Sequence, residues 1–345
     1  MEIQRTTQKG QAAEEAVRNY FISQGYFVVR GIPFIYKGFD VTDIDLWLYK
    51  KSSSITRERS CVDIKRRATP KAMERMLWTI GLKEVLDLNY AIVVTSDNRD
   101  ETREFGIANG VTVLQGNFLK RAIDDFLKSN IRITEDELFS GLNVPPVINS
   151  RITWARFFKS RKSILVSQLS FNSCNRLLKD ISILLEEYLV SNKKPEASIR
   201  LLYIHIAYFL INTDYRLSFI AHYDTTTLKK ILNEGFRYGE SGLQRTQEIV
   251  DIATKLLVNS GHGDLFSKEM FKEEVNKQFS NHSVEILAEY FAKPEIVNKL
   301  FDQAIHFEHY AYRRDIILPS NLPTELKATL GLFCDYLKID RREII

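Results

Sequence analysis

Three side chains near the start of the chain, Asp45, Asp63 and Lys65, have the types and spacing for chemistry at a charged oxygen centre. In Val41–Tyr49 (VTDIDLWLY), Ile44, Leu46 and Leu48 alternate with Asp43, Asp45 and Trp47. That period of two marks a strand with one apolar face. Ser60–Arg66 (SCVDIKR) repeats the pattern, with Val62 and Ile64 opposite Asp63 and Lys65. Carboxylates on neighbouring strands face one another at about 5 Å. That separation suits one hard divalent cation, Mg²⁺ or Mn²⁺, held by Asp45 and Asp63 with the carbonyl of Ile64 as a further ligand. Lys65 points to the same side as Asp63. An ammonium there can orient or help deprotonate a water and neutralise charge developing on a phosphate.

The elements that must position these groups are legible around them. Residues 8–24 have apolar positions at helical spacing (Ala12, Ala13, Ala16, Val17, Tyr20, Phe21) and stop at Gly25. Tyr26–Phe34 reads as a strand, Lys50–Thr56 as a polar turn, and Pro70 opens a helix running to about Leu86. Tyr90–Thr95 (YAIVVT) has the look of a buried strand, followed by a helix over Arg99–Ala108 and a short strand, Val111–Leu114. The order α-β-β-β-α-β-α-β predicts an α/β domain with a mixed sheet over residues 1–130. Asn143-Val144-Pro145-Pro146 marks a linker within 131–150, and 151–345 has helical period nearly throughout, predicting an all-α C-terminal domain. A chain of 345 residues accommodates two such domains.

The run from Lys9 to about Gly116 resembles the PD-(D/E)xK nuclease superfamily, the restriction-endonuclease-like fold, in its Holliday-junction-resolvase and Mrr-like branch. The resemblance rests on Gly10-Gln-Ala-Ala-Glu14-Glu15-Ala16 on the opening helix, Ile44-Asp45-Leu46 on a strand, and Val62-Asp63-Ile64-Lys65-Arg66-Arg67 on the next. It implies metal-dependent hydrolysis of phosphodiester bonds, most simply in DNA. Asp45 and Asp63 would hold Mg²⁺, Glu14 would support the site, and Lys65 would position the attacking water. Glu14 and Glu15 cannot both face inward, since adjacent helical positions diverge by about 100°. The spacing to Gly25 in the family pattern selects Glu14. The helix that follows lacks the Gln-x-x-x-Tyr of RecB-like nucleases. The resemblance covers about a third of the chain and suggests, by analogy, a restriction or antiphage-defence effector.

Charge distribution points the same way. The chain carries only four net positive charges, but Lys50–Arg75 holds nine basic and three acidic residues, and Ser150–Asp180 holds seven and one. Such segments can neutralise phosphates. Lys9, Lys50, Lys51, Arg57, Arg59, Arg66 and Arg67 are the expected DNA contacts, with 50–59 forming a hairpin beside the carboxylates. The helical domain would recognise substrate, dimerise or bind a partner protein. Other signals read more plainly as structure. Arg200 and His205 form an R-x4-H pattern similar to HEPN ribonucleases, but their flanks are those of a core helix. Trp154, Phe157 and Phe158, interleaved with Arg156, Lys159, Arg161 and Lys162, read as core anchors before base-stacking rings. His306 and His309 have no evident third metal ligand. No phosphate-cradling Gly-x4-Gly-Lys-[Ser/Thr] run exists. Cys61, Cys174 and Cys334 match no zinc or redox spacing, and no secretory or membrane-spanning segment is visible, so a reduced cytoplasmic protein without membrane contact is expected. Two other readings compete with the nuclease: a non-cleaving DNA-binding or scaffold protein that keeps the fold, and an RNase acting through the helical domain.

Overall fold

The computed structural model describes residues 2–65, 71–128, 131–148, 151–167, 169–191, 196–257, 270, 273–274, 277 and 283–345, without the side chains of 2–9, 167 and 257. Arg66, Arg67 and Pro70 lie outside the described residues, as does the side chain of Lys9. The chain divides into two compact units. The first comprises Met1–Gln168 with Ala304–Ile316, and the second Leu169–Gln303 with Ile317–Ile345.

The first unit opens with α1 (Glu2–Ser23), then β1 (Phe27–Tyr36), β2 (Phe39–Lys51), β3 (Arg57–Lys65), α2 (Ala72–Val85), β4 (Tyr90–Thr95), α3 (Asp100–Ala108) and β5 (Val111–Leu114). The strands form one mixed sheet in the order β1-β2-β3-β4-β5, antiparallel across β1–β2–β3 and parallel across β3–β4–β5. An α/β region with a mixed sheet followed by a helical region is therefore what the chain forms. α4 (Gly116–Lys128), α5 (Glu135–Gly141), α6 (Trp154–Lys162) and α7 (Ile164–Ser167) complete the run. The span 131–150, read from the sequence as a linker, holds α5, which Thr134 and Glu137 start with a capping box.

Alternation along each strand sorts its side chains onto two faces. Ala13, Val17 and Phe21 of α1 and Leu119 of α4 pack on Val28, Leu46, Leu48, Val62, Ile64, Ile92 and Val94. Trp47 and Tyr49 of β2 and Cys61 and Asp63 of β3 are buried on the opposite face, where α2 lies against β3 and β4. A Cβ at Gly106 of α3 would come within 2.2 Å of a Val113 methyl carbon, so only glycine lets α3 lie this close to β5. The β1–β2 connection is a two-residue turn, Lys37-Gly38, with φ of 49° and 88°. Positive φ at both positions gives the twist that an antiparallel hairpin needs, and glycine accepts it without strain.

A buried ionic cluster ties distant parts of this unit together. Arg18 of α1 reaches Glu308 at 2.8 Å and lies 4.0 Å over the Tyr312 ring. Glu135 accepts hydrogen bonds from Lys162 Nζ and, at 2.6 Å, from the Tyr312 hydroxyl. Burial works against the charge on Glu135, but Lys162 and Arg18 hold its carboxyl below the usual range. Lys162 also donates to the carbonyl of Arg30. The Ser150–Asp180 segment is thus no simple basic surface: Lys162, Trp154, Phe157 and Phe158 are buried, in line with the core-anchor reading of those rings.

In the second unit, α8 (Phe171–Val190), α9 (Glu196–Ile220), α10 (Thr225–Tyr238), α11 (Gly242–Leu257), α12 (Val284–Phe291), the first turns of α13 (Pro294–Tyr312) and α14 (Thr324–Leu337) are all helical. α9 is buried around its whole circumference from Ala197 to Asp214, in keeping with the apolar residues that dominate its centre. Phe209 at its centre touches Phe236, Phe291 and Phe333, with ring centroids 5.3–5.7 Å apart. Arg200 and His205 are buried in the same helix. Arg200 Nε donates to Glu196 at 2.7 Å, and His205 Nδ1 shares a 2.7 Å hydrogen bond with the carbonyl of Leu201. Among the described residues no helix is long and apolar enough to cross a membrane.

The cluster generates a stability prediction. Lys162→Met leaves Glu135 buried without its nearest cation, and the expected loss is about 3–5 kcal/mol, because one charge of a buried pair is then uncompensated. Urea unfolding of both proteins measures it; a loss under about 1 kcal/mol would be the behaviour of a solvated pair and would contradict the burial argument.

Candidate functional site

Asp45 and Asp63 meet where β2 and β3 part. The ladder between these strands runs from Lys51↔Arg57 to Leu46↔Val62 and ends one residue short of both carboxylates. Beyond that point a side chain replaces the neighbouring strand: the amide of Ile64 donates to Asp45 Oδ2 at 2.7 Å. β3 continues alongside β4 through Lys65↔Thr95, so the carboxylates sit at the carboxyl end of a parallel pair. Open sheets place their ligands at such ends.

Lys65 links the two acids. Its Nζ lies 3.5 Å from Asp45 Oδ2 and 3.5 Å from Asp63 Oδ1. Both carboxylates therefore converge on one point. Asp63 is also gripped by Arg75 of α2, through Nε to Oδ2 at 3.0 Å and through Nη2 to Oδ1. The Arg75 guanidinium lies 4.3 Å from the centre of the Trp78 ring, one turn further along α2. Sequence reasoning missed Arg75. The signal for it is its place in the first turns of a helix packed on β3, on the face that Asp63 occupies.

Burial pushes the Asp45 carboxyl up to about 6, against the pull of Lys65 and the Ile64 amide, with Asp63 and Glu14 adding to the rise. Glu14 Oε2 accepts from Arg30 Nε at 2.7 Å, whereas Glu15 is buried in the ionic cluster, accepting from Arg30 Nη1 at 3.0 Å and from the amide of Glu135 at 2.8 Å. Of the two glutamates, Glu15 is buried in the ionic cluster, and Glu14 is paired with Arg30 of β1. Asp43, two residues before Asp45, is exposed on β2.

The expected metal ligands fit a hard divalent ion in part. The amide of Ile64, rather than its carbonyl, is the group bonded to the carboxylate pair. Among the described residues no three His, Cys, Asp or Glu side chains gather as a self-sufficient metal cage, and His306 and His309 form no such group. Two carboxylates are nevertheless the usual protein share for Mg²⁺, which keeps waters and takes substrate phosphate oxygens for the rest.

The hairpin expected beside the carboxylates lies elsewhere. In an antiparallel pair the residues nearest the turn are farthest from the open end. Lys50, Lys51, Arg57 and Arg59 therefore stand about 13–20 Å along the strands from Asp45 or Asp63, at roughly 3.3 Å per residue. Three of them also serve the fold. Lys50 Nζ donates to the carbonyl of Gln24 at 3.1 Å and lies over the Tyr26 ring, Arg57 is buried against the carbonyls of its own turn, and Arg59 pairs with Asp87 at 3.1 Å. The β1–β2 tip lies the other way along β2, about 20 Å from Asp45 at that rise. There Tyr36 and Phe39 face each other across the strands, 58% and 75% exposed, and Lys37 lies beside Tyr36.

Comparison with protein-family models, curated proteins and solved structures yields no match for this chain.

The carboxylate pair predicts a pH dependence of stability in metal-free protein. Asp45 binds its proton more tightly folded, near 6, than unfolded, near 3.9. Its ionised form therefore costs the fold on the order of 2 kcal/mol, a cost absent below pH 4 and complete above pH 6. Asp45→Asn, which keeps an acceptor for the Ile64 amide, is expected to raise the melting temperature at pH 7.5 and to leave it unchanged at pH 4. Melting curves across that range check it, and a variant less stable at pH 7.5 would reverse the sign of the argument.

Proposed function

We propose that this chain is a metal-dependent nuclease that hydrolyses phosphodiester bonds, with DNA as its substrate. One observation carries the reading. Two carboxylates from adjacent strands converge on a single lysine ammonium at the carboxyl end of a parallel strand pair, with Glu14 of the opening helix in electrostatic reach. The strand and helix order around them supports the restriction-endonuclease-like fold that the motifs resemble.

In this reading Asp45 and Asp63 hold Mg²⁺ or Mn²⁺, which supplies Lewis-acid polarisation of the phosphate and a lowered pKa for bound water. Lys65 is held by both acids where it can orient the attacking water and offset charge on the phosphate oxygens. The water oxygen bonds to phosphorus as the bond to the leaving sugar oxygen breaks, and that oxygen takes up a proton. Tyr36 and Phe39, exposed at the β1–β2 tip about 20 Å along β2 from Asp45, suit stacking on unpaired bases away from the scissile bond, with Lys37 for the backbone. The helical unit would recognise substrate, dimerise or bind a partner, in the manner of a restriction or antiphage effector. Arg200 and His205, the pair that suggested an RNase acting through that unit, are buried in α9, which gives that reading no added support. A second reading, a DNA-binding protein that does not cleave, is favoured by one observation: the clamp of Arg75 on Asp63, a cation seated on an expected metal ligand.

Incubation with plasmid DNA and with RNA, in Mg²⁺, Mn²⁺ or EDTA, separates these readings. Cleavage of DNA in metal alone is expected, abolished in Asp63→Ala and lowered far more in kcat than in KM by Lys65→Ala, because the lysine acts mainly in the transition state. Metal-dependent binding without cleavage would favour the second reading, and activity persisting in EDTA would exclude the first. Tyr36→Ser with Phe39→Ser is expected to weaken binding to DNA with unpaired bases about tenfold or more, given roughly 1–3 kcal/mol per stacked base. Unchanged affinity in a filter-binding titration would remove the hairpin from the interface.

A further inference from the structure

The surroundings of Asp63 carry an inference that rests on the nuclease reading and concerns how its metal site is filled. As it stands the site is electrically balanced: Asp45 and Asp63 face Lys65 and Arg75. Arg75 takes both oxygens of Asp63 in the side-by-side geometry that a guanidinium also offers to a phosphate. A divalent ion between Asp45 and Asp63 needs at least one of those oxygens, so it competes directly with Arg75. Lys65 is a weaker competitor, standing 3.5 Å from each acid. The displaced guanidinium is not lost to solvent, because the Trp78 ring, 4.3 Å from it, supports one of its faces. The carboxylate that the ion occupies and the phosphate that the substrate brings are thus alternative partners for one cation.

We propose that Arg75 is a latch that couples metal binding to substrate binding: it holds Asp63 in the free protein and transfers to a phosphate oxygen pair of the nucleic acid when the divalent ion takes Asp63. The free protein then binds Mg²⁺ or Mn²⁺ weakly, and nucleic acid raises that affinity. By linkage the ion raises nucleic-acid affinity by the same factor. A site built this way stays closed to metal until a phosphodiester is present, which restrains the activity of a nuclease at rest. Arg75 acts here as a positioning residue.

Mn²⁺ titrations followed by electron paramagnetic resonance, with and without a short duplex carrying a non-hydrolysable phosphorothioate linkage, test the latch in the full chain. Wild type is expected to bind Mn²⁺ about tenfold more tightly with the duplex than without. Arg75→Gln should bind Mn²⁺ about tenfold more tightly than wild type when alone, and gain little from the duplex. Arg75→Lys, which keeps the charge but loses the paired hydrogen bonds, should fall between them and guards against a folding defect in the first variant. If both variants match wild type in free affinity and in the gain from duplex, the latch is wrong while the metal site stands. If none of the three proteins binds Mn²⁺ at all, the latch and the nuclease reading fail together.

Discussion

Everything proposed for this protein depends on one constraint: two carboxylates are held together in a place where neither can be well solvated. The β2–β3 ladder ends at Leu46↔Val62, and the next residue on each strand is an aspartate. Buried like charges repel and lose hydration, so each must recruit a cation or a hydrogen-bond donor. The Ile64 amide and Lys65 answer for Asp45, and Lys65 and Arg75 for Asp63. Burial still outweighs these contacts at Asp45, whose carboxyl stays well above its ordinary range.

The remainder of the first unit works as a frame for that pair. α1, which carries Glu14, is one side of that frame. It is fixed by its apolar stripe on the sheet and by Glu15 and Arg18, which reach β1, α5 and residues 304–316 through buried ion pairs. These pairs set the geometry of α1 against the sheet. α2 has the matching duty on the other face: it carries Arg75 to Asp63 and rests Trp78 behind the guanidinium.

Much of this was legible in the residues themselves. Alternation in VTDIDLWLY and SCVDIKR placed Asp45, Asp63 and Lys65 on one side of adjacent strands, because the strand period leaves no other outcome. The order of helices and strands to Leu114 followed from periodicity and turn residues. The strand lengths were less legible. Lys37-Gly38 is a compact hairpin signal, but the polar residues Asp40, Thr42 and Asp43 hid the strand that continues on both sides of it. The basic turn at 50–59 was set beside the site by its closeness in sequence, although antiparallel geometry sends it to the far end. Lys162 and Glu135 could not be paired from sequence, since nothing local marks a lysine for burial against an acid 27 residues away. Arg75 was hidden for a related reason: its partner lies on another element, and a helix arginine reads first as a solvated charge.

The most direct test of the central claim is a crystal of the chain with a short duplex and Mn²⁺, with diffraction recorded at the manganese absorption edge. The account predicts an anomalous peak between the carboxylates of Asp45 and Asp63, absent in Asp63→Ala crystals grown the same way. A well-ordered duplex with no anomalous density at that pair, or with manganese bound elsewhere, would contradict it.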